Sequence, residues 1–303
     1  MDNLKPLVIG TRGSDLALWQ AEAVRDALRK QTDRAVEVKV IETRGDKQLD
    51  LSLSNHKLDK GLFTRELEHE LHSGEVDFAV HSLKDMPVDQ PEGLALAAVL
   101  PRGDVRDVIV ARPELEIRSI RDLVGLKIGT GSPRRSCQLR YLLESEDLVT
   151  ADIRGNVPTR IQKVLAGEYD ATILAYAGLE RLQLLDKISL ILPIGVMLPA
   201  PGQGAVGIQC SLANTTAMKL AQQINDPRTM KETYIERAIL RGLGGGCALP
   251  LGIYCDGEDP RIFQVRVAYA RDEDAGVFHR QYMIPARYEP DTLEAICYDL
   301  AHN

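Results

Sequence analysis

The chain has 303 residues, 44% of them hydrophobic, enough to bury a core in each of two or three domains of about 100 residues. Lys+Arg total 37 against Asp+Glu 44, a net charge of −7, which argues against a general polyanion binder such as a DNA protein and leaves any anion site to a local basic cluster. No stretch reaches the roughly 20 apolar residues of a membrane span, and the 5 cysteines, odd in number and scattered, argue against a disulfide framework or a zinc site.

Leu7-Val8-Ile9-Gly10-Thr11 reads as a short buried strand close behind the first residue, which leaves no room for a targeting peptide and predicts a cytoplasmic protein. Arg12-Gly13 follows, Ser14 or Asp15 caps a helix, and Ala17, Ala21, Val24 and Leu28 share one face of it to about Lys30. Glu68-His69-Glu70-Leu71-His72 resembles a zinc motif but spaces its histidines three apart rather than four, so it reads as a solvated helix face. His81-Ser82-Leu83-Lys84-Asp85-Met86-Pro87 follows a predicted buried strand. Pro87 keeps Met86 extended, so Asp85 is held on a loop, either aimed at a ligand or as half of a surface Lys–Asp pair.

The opening pattern returns at Lys127-Ile128-Gly129-Thr130, where Gly131-Ser132-Pro133 supplies a turn, a cap and a proline at the first helical position. A second echo pairs Gly74-Glu75-Val76-Asp77-Phe78-Ala79-Val80 with Gly167-Glu168-Tyr169-Asp170-Ala171-Thr172-Ile173. Two similar α/β units joined by crossing segments are expected, with Leu198-Pro199-Ala200-Pro201-Gly202-Gln203-Gly204 as one crossing. Ligands of such sheets bind beyond the carboxyl ends of the strands.

Two arginines at a helix start, Arg134 and Arg135, are costly unless an anion answers them; the alternative is a solvated basic turn. Arg154-Gly155-Asn156 and Arg160 extend the basic window, and Arg12 stands at the matching corner of the first unit. From about residue 225 the texture changes to a small α+β region: a helix over 227–241, strands near 249–254, 262–270 and 277–284, and a last helix over 291–302. Within it, Arg241-Gly242-Leu243-Gly244-Gly245-Gly246-Cys247 strips side chains from around one thiol. Cys247 follows a predicted helix C-terminus, where the dipole opposes a thiolate. An attachment point therefore fits better than a catalytic thiol, with a plain free cysteine in a turn as the alternative.

These motifs together resemble the porphobilinogen deaminase (hydroxymethylbilane synthase) family. VIGTRGS, KGLFTRELE at 60–68, HSLKDMP, GTGSPRR, RGNVPTRIQKV, LAYAGLERL, PAPGQGAVGI and ERAILRGLGGGCALPLG carry the resemblance through nearly the whole chain. It implies three domains: two α/β domains like periplasmic binding proteins, forming a cleft, at 1–103 with 201–222 and at 104–200, and an α+β domain at 223–303. It also implies a transferase that joins four porphobilinogen molecules head to tail with loss of ammonia, giving linear hydroxymethylbilane. The thiol of Cys247 would carry a dipyrromethane primer through a thioether, and Asp85 would hydrogen-bond the pyrrole N–H groups and stabilise the positive charge that develops on them. By the same resemblance Ser82, Lys84, Thr130, Ser132, Arg134, Arg135, Arg154 and Gly155 hold the cofactor. Arg12, Ser14, Lys60, Arg160, Arg181 and Gln203, again with Arg154, hold porphobilinogen and the growing oligopyrrole. Lys60 and the polar stretch DLSLSNHKLD before it are expected as a lid. A monomer without metal, nucleic acid or membrane partner is implied. The chain departs from the family pattern at Gly131 and Pro133 (TGSPRR for TSSLRR), in a lid without glycines, and at Gln209, where glutamate is common. A non-enzymatic solute-binding module is the rival; it needs neither the glycine-flanked cysteine nor a third domain.

Overall fold

A computed structural model describes residues 5–43, 64–144, 148–246, 249–271, 276–289 and 291–302. Along the chain run β1 (Leu7–Thr11), α1 (Asp15–Leu28), β2 (Val36–Val40), α2 (Arg65–Ser73), β3 (Phe78–Ser82), β4 (Leu94–Val99) and β5 (Asp107–Ala111). Next come β6 (Lys127–Gly129), α3 (Pro133–Leu143), β7 (Val149–Ala151), α4 (Val157–Leu165), β8 (Ala171–Ala175), α5 (Tyr176–Arg181) and β9 (Leu190–Leu192). The rest is β10 (Val206–Ser211), α6 (Thr215–Gln223), α7 (Pro227–Gly242), β11 (Leu251–Asp256), β12 (Ile262–Tyr269), β13 (Phe278–Pro285) and α8 (Asp291–His302). The chain divides into two compact units, Met1–Arg102 with Ala205–Met230, and Gly103–Gly204 with Lys231–Asn303.

The first unit is built on a five-stranded sheet of order β2-β1-β3-β10-β4, in which β10 alone runs antiparallel to its neighbours. One face packs Ala21, Val24 and Leu28 of α1 with Ala217 and Ala221 of α6. The other packs Leu67 and Leu71 of α2. The second unit repeats the plan as β7-β6-β8-β5-β9, with β5 antiparallel to both neighbours. Leu139 of α3 covers one face, and Ile161 of α4 with Leu179 of α5 the other.

The duplication expected from the sequence extends to individual hydrogen bonds. Ile9 registers with Phe78, and Ile128 with Ala171. In each copy a glycine in the left-handed region, Gly74 at φ 74° and Gly167 at φ 78°, follows the helix. An aspartate three residues later then clamps the first strand. Asp77 N–H donates to Val8 O, and Asp77 Oδ2 accepts from Val8 N–H at 2.9 Å. Asp170 does the same to Lys127, its Oδ2 accepting at 2.8 Å. The copies diverge at the following turn. Ser14 caps α1 three residues after Thr11, whereas Ser132 precedes α3 two residues after Thr130.

The C-terminal region forms a three-stranded antiparallel sheet, β11-β12-β13, belonging to the second unit. Its strands lie within two residues of the expected positions, and its last helix spans 291–302 as expected. Ile253 N–H donates to Pro199 O at 2.8 Å. Glu236 of α7, fully buried, accepts from Gly202 N–H at 2.7 Å and from Cys255 N–H at 2.9 Å, fastening the 198–204 segment to β11. Among the described residues no helix is long and apolar enough to cross a membrane.

Candidate functional site

In the first unit, β1 and β3 are parallel neighbours, so Arg12 and the Ser82–Asp85 stretch emerge at the same end of the sheet. Ser14 Oγ accepts from Ala17 N–H at 3.3 Å and so serves as a helix cap. Ser82 Oγ accepts from Gln20 Nε2 at 2.8 Å, and Gln20 is buried on α1. Leu83, Lys84 and Asp85 form a single 3₁₀ turn. Leu83, its first residue, and Met86, just after it, are buried, while Asp85 is exposed. Two apolar anchors thus hold the turn and present its carboxylate.

In the second unit the carboxyl ends of β6, β7 and β8 carry the basic residues. Thr130 is buried, and its Oγ1 accepts from Ser132 N–H at 3.2 Å. Pro133 opens α3, and Ser132 makes no side-chain cap bond, so the first N–H groups of α3 remain available to an acceptor. Arg154 Nε donates to Asp152 Oδ2 at 2.8 Å. Its own carbonyl accepts from Lys163 Nζ at 3.2 Å, and Gly155 O accepts from Arg160 Nε at 2.8 Å. Gly155 sits at φ 114°, and a Cβ there would lie 2.6 Å from Thr159 Cγ2, so only glycine fits this corner. At Gly131 a Cβ would lie 2.6 Å from Asp152 Oδ1; the glycine makes room for the carboxylate that holds Arg154. Arg181 Nη2 donates to Gly204 O at 2.5 Å, and burial lowers its guanidinium's pKa.

Arg134 and Arg135 are buried rather than splayed into solvent. Both turn to Asp107. Arg134 Nη1 donates to Asp107 Oδ2 at 2.6 Å and to Leu198 O at 2.7 Å. Arg135 Nη2 donates to Asp107 Oδ1 at 2.7 Å, and its Nη1 to Ile173 O at 2.7 Å. Gln203, fully buried, gives its Nε2 to Val105 O at 2.7 Å and to Asp107 Oδ1 at 3.1 Å. Asp107 reaches this end of the sheet because β5 runs antiparallel: its first residue registers with Ala175, the last of β8. Burial pushes the Asp107 carboxyl up, but the two guanidiniums override that and hold it well below the usual carboxylate range.

Sequence reasoning missed Asp107, Gln20 and Asp152. The signal for Asp107 was present: one acid opens the otherwise apolar buried run Asp107–Ala111, and a buried charge must be paired. Lys60 and Cys247 lie outside the described residues, as does the expected lid sequence.

Fold and corners together define an internally duplicated α/β protein whose carboxyl-end loops are equipped for anionic ligands. The family described as porphobilinogen deaminase, dipyromethane cofactor binding domain, matches residues 7–219. A porphobilinogen deaminase of Chlorobium phaeobacteroides is 46% identical over 251 residues, covering 82% of this chain and 79% of the relative. One from Chlorobaculum parvum is 40% identical over 299 residues, covering 98% and 93%. Among solved structures, the VFT2 domain of BvgS from Bordetella pertussis is 17% identical, with a TM-score of 0.44, covering 78% of this chain and 92% of that one; so distant a likeness bears no argument. The chain belongs to the porphobilinogen deaminase family.

Proposed function

We propose that this chain condenses four porphobilinogen molecules head to tail, releasing ammonia at each addition, and that water then frees linear hydroxymethylbilane. Family membership over most of the chain supports the reaction. The presentation of Asp85 on a turn anchored by Leu83 and Met86 carries the assignment of the catalytic group. Its carboxylate accepts hydrogen bonds from pyrrole N–H groups and stabilises the positive charge they acquire as the carbon–carbon bond forms. Such a placed group is worth about 10²–10⁴ in rate.

A dipyrromethane held by Cys247 would supply the pyrrole on which the chain grows. The described residues fit so acidic a group. Among the described residues the start of α3 leaves N–H donors open, and Arg135 Nε is buried with no acceptor. Ser82, Lys84, Thr130, Ser132, Arg134, Arg135, Arg154 and Gly155 hold its carboxylates and orient it. Arg12, Ser14, Arg160, Arg181 and Gln203 serve the incoming substrate, with Lys60 from the segment before α2. Arg160, Arg181 and Gln203 spend donors on backbone carbonyls, so part of their role is to shape the corner. The enzyme works as a cytoplasmic monomer, with residues 223–303 as a third domain.

Asp85→Asn is expected to lower kcat by about 10²–10⁴ with an unchanged circular dichroism spectrum; near-parental turnover would remove Asp85 from the mechanism. Intact-mass analysis of the purified protein is expected to show a two-pyrrole adduct on the Cys247 peptide, absent in Cys247→Ala. An unmodified, fully active protein would end the covalent-primer assignment.

A further inference from the structure

Asp107 takes no part in the chemistry above, yet its carboxylate organises the arginine corner. Oδ2 accepts from Arg134, and Oδ1 accepts from Arg135 and Gln203. Among the described residues neither arginine pairs with any other carboxylate. The cluster therefore holds two positive charges and one negative, with Asp107 0%, Arg134 5% and Arg135 6% exposed. A surplus buried charge is unfavourable until a counter-ion answers it. The shortfall is visible in one atom: Arg135 Nε is buried with no acceptor among the described residues, although both of its Nη atoms are engaged.

With the pair taken as carboxylate holders, as proposed above, the charge count limits what they hold. We propose that Asp107 is a positioning residue that fixes the orientation of Arg134 and Arg135 and cancels one of their charges, so that the pair accepts one carboxylate of the acidic oligopyrrole and not two. The physical advantage lies in turnover. Each added porphobilinogen brings two more carboxylates. A pair of unopposed guanidiniums would grip ground state and transition state alike, which tightens binding without raising kcat and holds back a chain that must move. Asp107 keeps the grip to a single charge and sets its direction from inside the fold.

The test uses the full-length protein as purified, with three variants: Asp107→Asn, Asp107→Glu and Arg135→Gln. Primer content is read by intact mass, kcat and KM from steady state, and inorganic phosphate serves as the probe anion. Asp107→Asn adds one unit of positive charge to the corner. Phosphate is then expected to inhibit the primer-bearing enzyme at a concentration at least about fivefold lower, and kcat to fall at least about tenfold. Asp107→Glu restores the charge but displaces the carboxylate by one methylene, so phosphate inhibition returns to within about twofold of the parent while kcat stays reduced. If Asp107→Asn does not fold, Asp107→Glu decides alone: parental kcat overturns the positioning role. Parental phosphate sensitivity and kcat in primer-bearing Asp107→Asn overturn it as well, even if the variant melts earlier, because a merely structural group would move only the melting point. Arg135→Gln separates the two levels. Loss of primer there, beside a parental Asp107→Asn, sinks the positioning role alone. Full primer and activity in Arg135→Gln sink the carboxylate-holding assignment and this proposal with it.

Discussion

Asp107 shows how much one side chain can decide. Its pKa in the folded chain lies below its unfolded value because the ionised form is the one two guanidiniums bind. The stabilisation is therefore complete above the unfolded carboxylate pKa of about 3.9 and is lost as pH falls through the lower native value. Asp107→Asn is expected to cost about 3–5 kcal/mol at neutral pH, the usual consequence of breaking a buried ion cluster. Urea titrations should find that gap shrinking on acidification below about pH 4; a gap that widens there would contradict the ion-cluster account. Residue types were legible in the sequence where the chemistry is local. Asp85 beside Pro87, and two arginines behind a helix-opening proline, announce themselves within a few positions. Asp107 did not, because its partners stand 27, 28 and 96 residues away. The sequence suggested that Arg134 and Arg135 face an anion; the structure shows that the anion nearest them is part of the chain.

At the scale of elements, the duplicated strand–helix–strand unit was legible because its punctuation is local. A left-handed glycine ends the helix and an aspartate clamps the first strand of the unit in both copies. The crossing segment is different. Gly204 sits at φ 84°, and a Cβ on it would lie 2.6 Å from Gly103 O, a backbone atom that cannot swing aside. Gly204→Ala is expected to cost the left-handed penalty of about 1–2 kcal/mol plus the clash. Gly167→Ala, at φ 78° with nothing within 4 Å, should cost the backbone penalty alone. Denaturant titration of both variants checks this, and equal losses would show that the close approach of Gly204 to the Gly103 carbonyl matters little. Proline and glycine in this stretch predicted an irregular segment, which is what forms. That one glycine must meet another's carbonyl follows only from bringing residues 103 and 204 together.

At the scale of the whole molecule, the C-terminal sheet belongs to the second unit, and Glu236 is one of its fastenings. Its two oxygens serve Gly202 N–H and Cys255 N–H in a fully buried place. Glu236→Gln keeps the shape but replaces one acceptor with a donor, leaving a buried N–H unmet at about 1–3 kcal/mol. Hydrogen exchange is expected to speed up in the β11 peptide Leu251–Asp256 while β1 of the first unit keeps its protection; equal protection in both would show that the fastening is redundant. The sequence alone was enough for the α/β class, the duplication and the loop position of Asp85, because helix caps, strand periodicity and turn signals are interactions between near neighbours; its motifs carried the resemblance to the family. Only the tertiary structure decided which charges are spent inside the protein. The antiparallel course of β5 carries Asp107 to the carboxyl ends of the parallel strands, and no local pattern encodes which distant guanidiniums will meet it there.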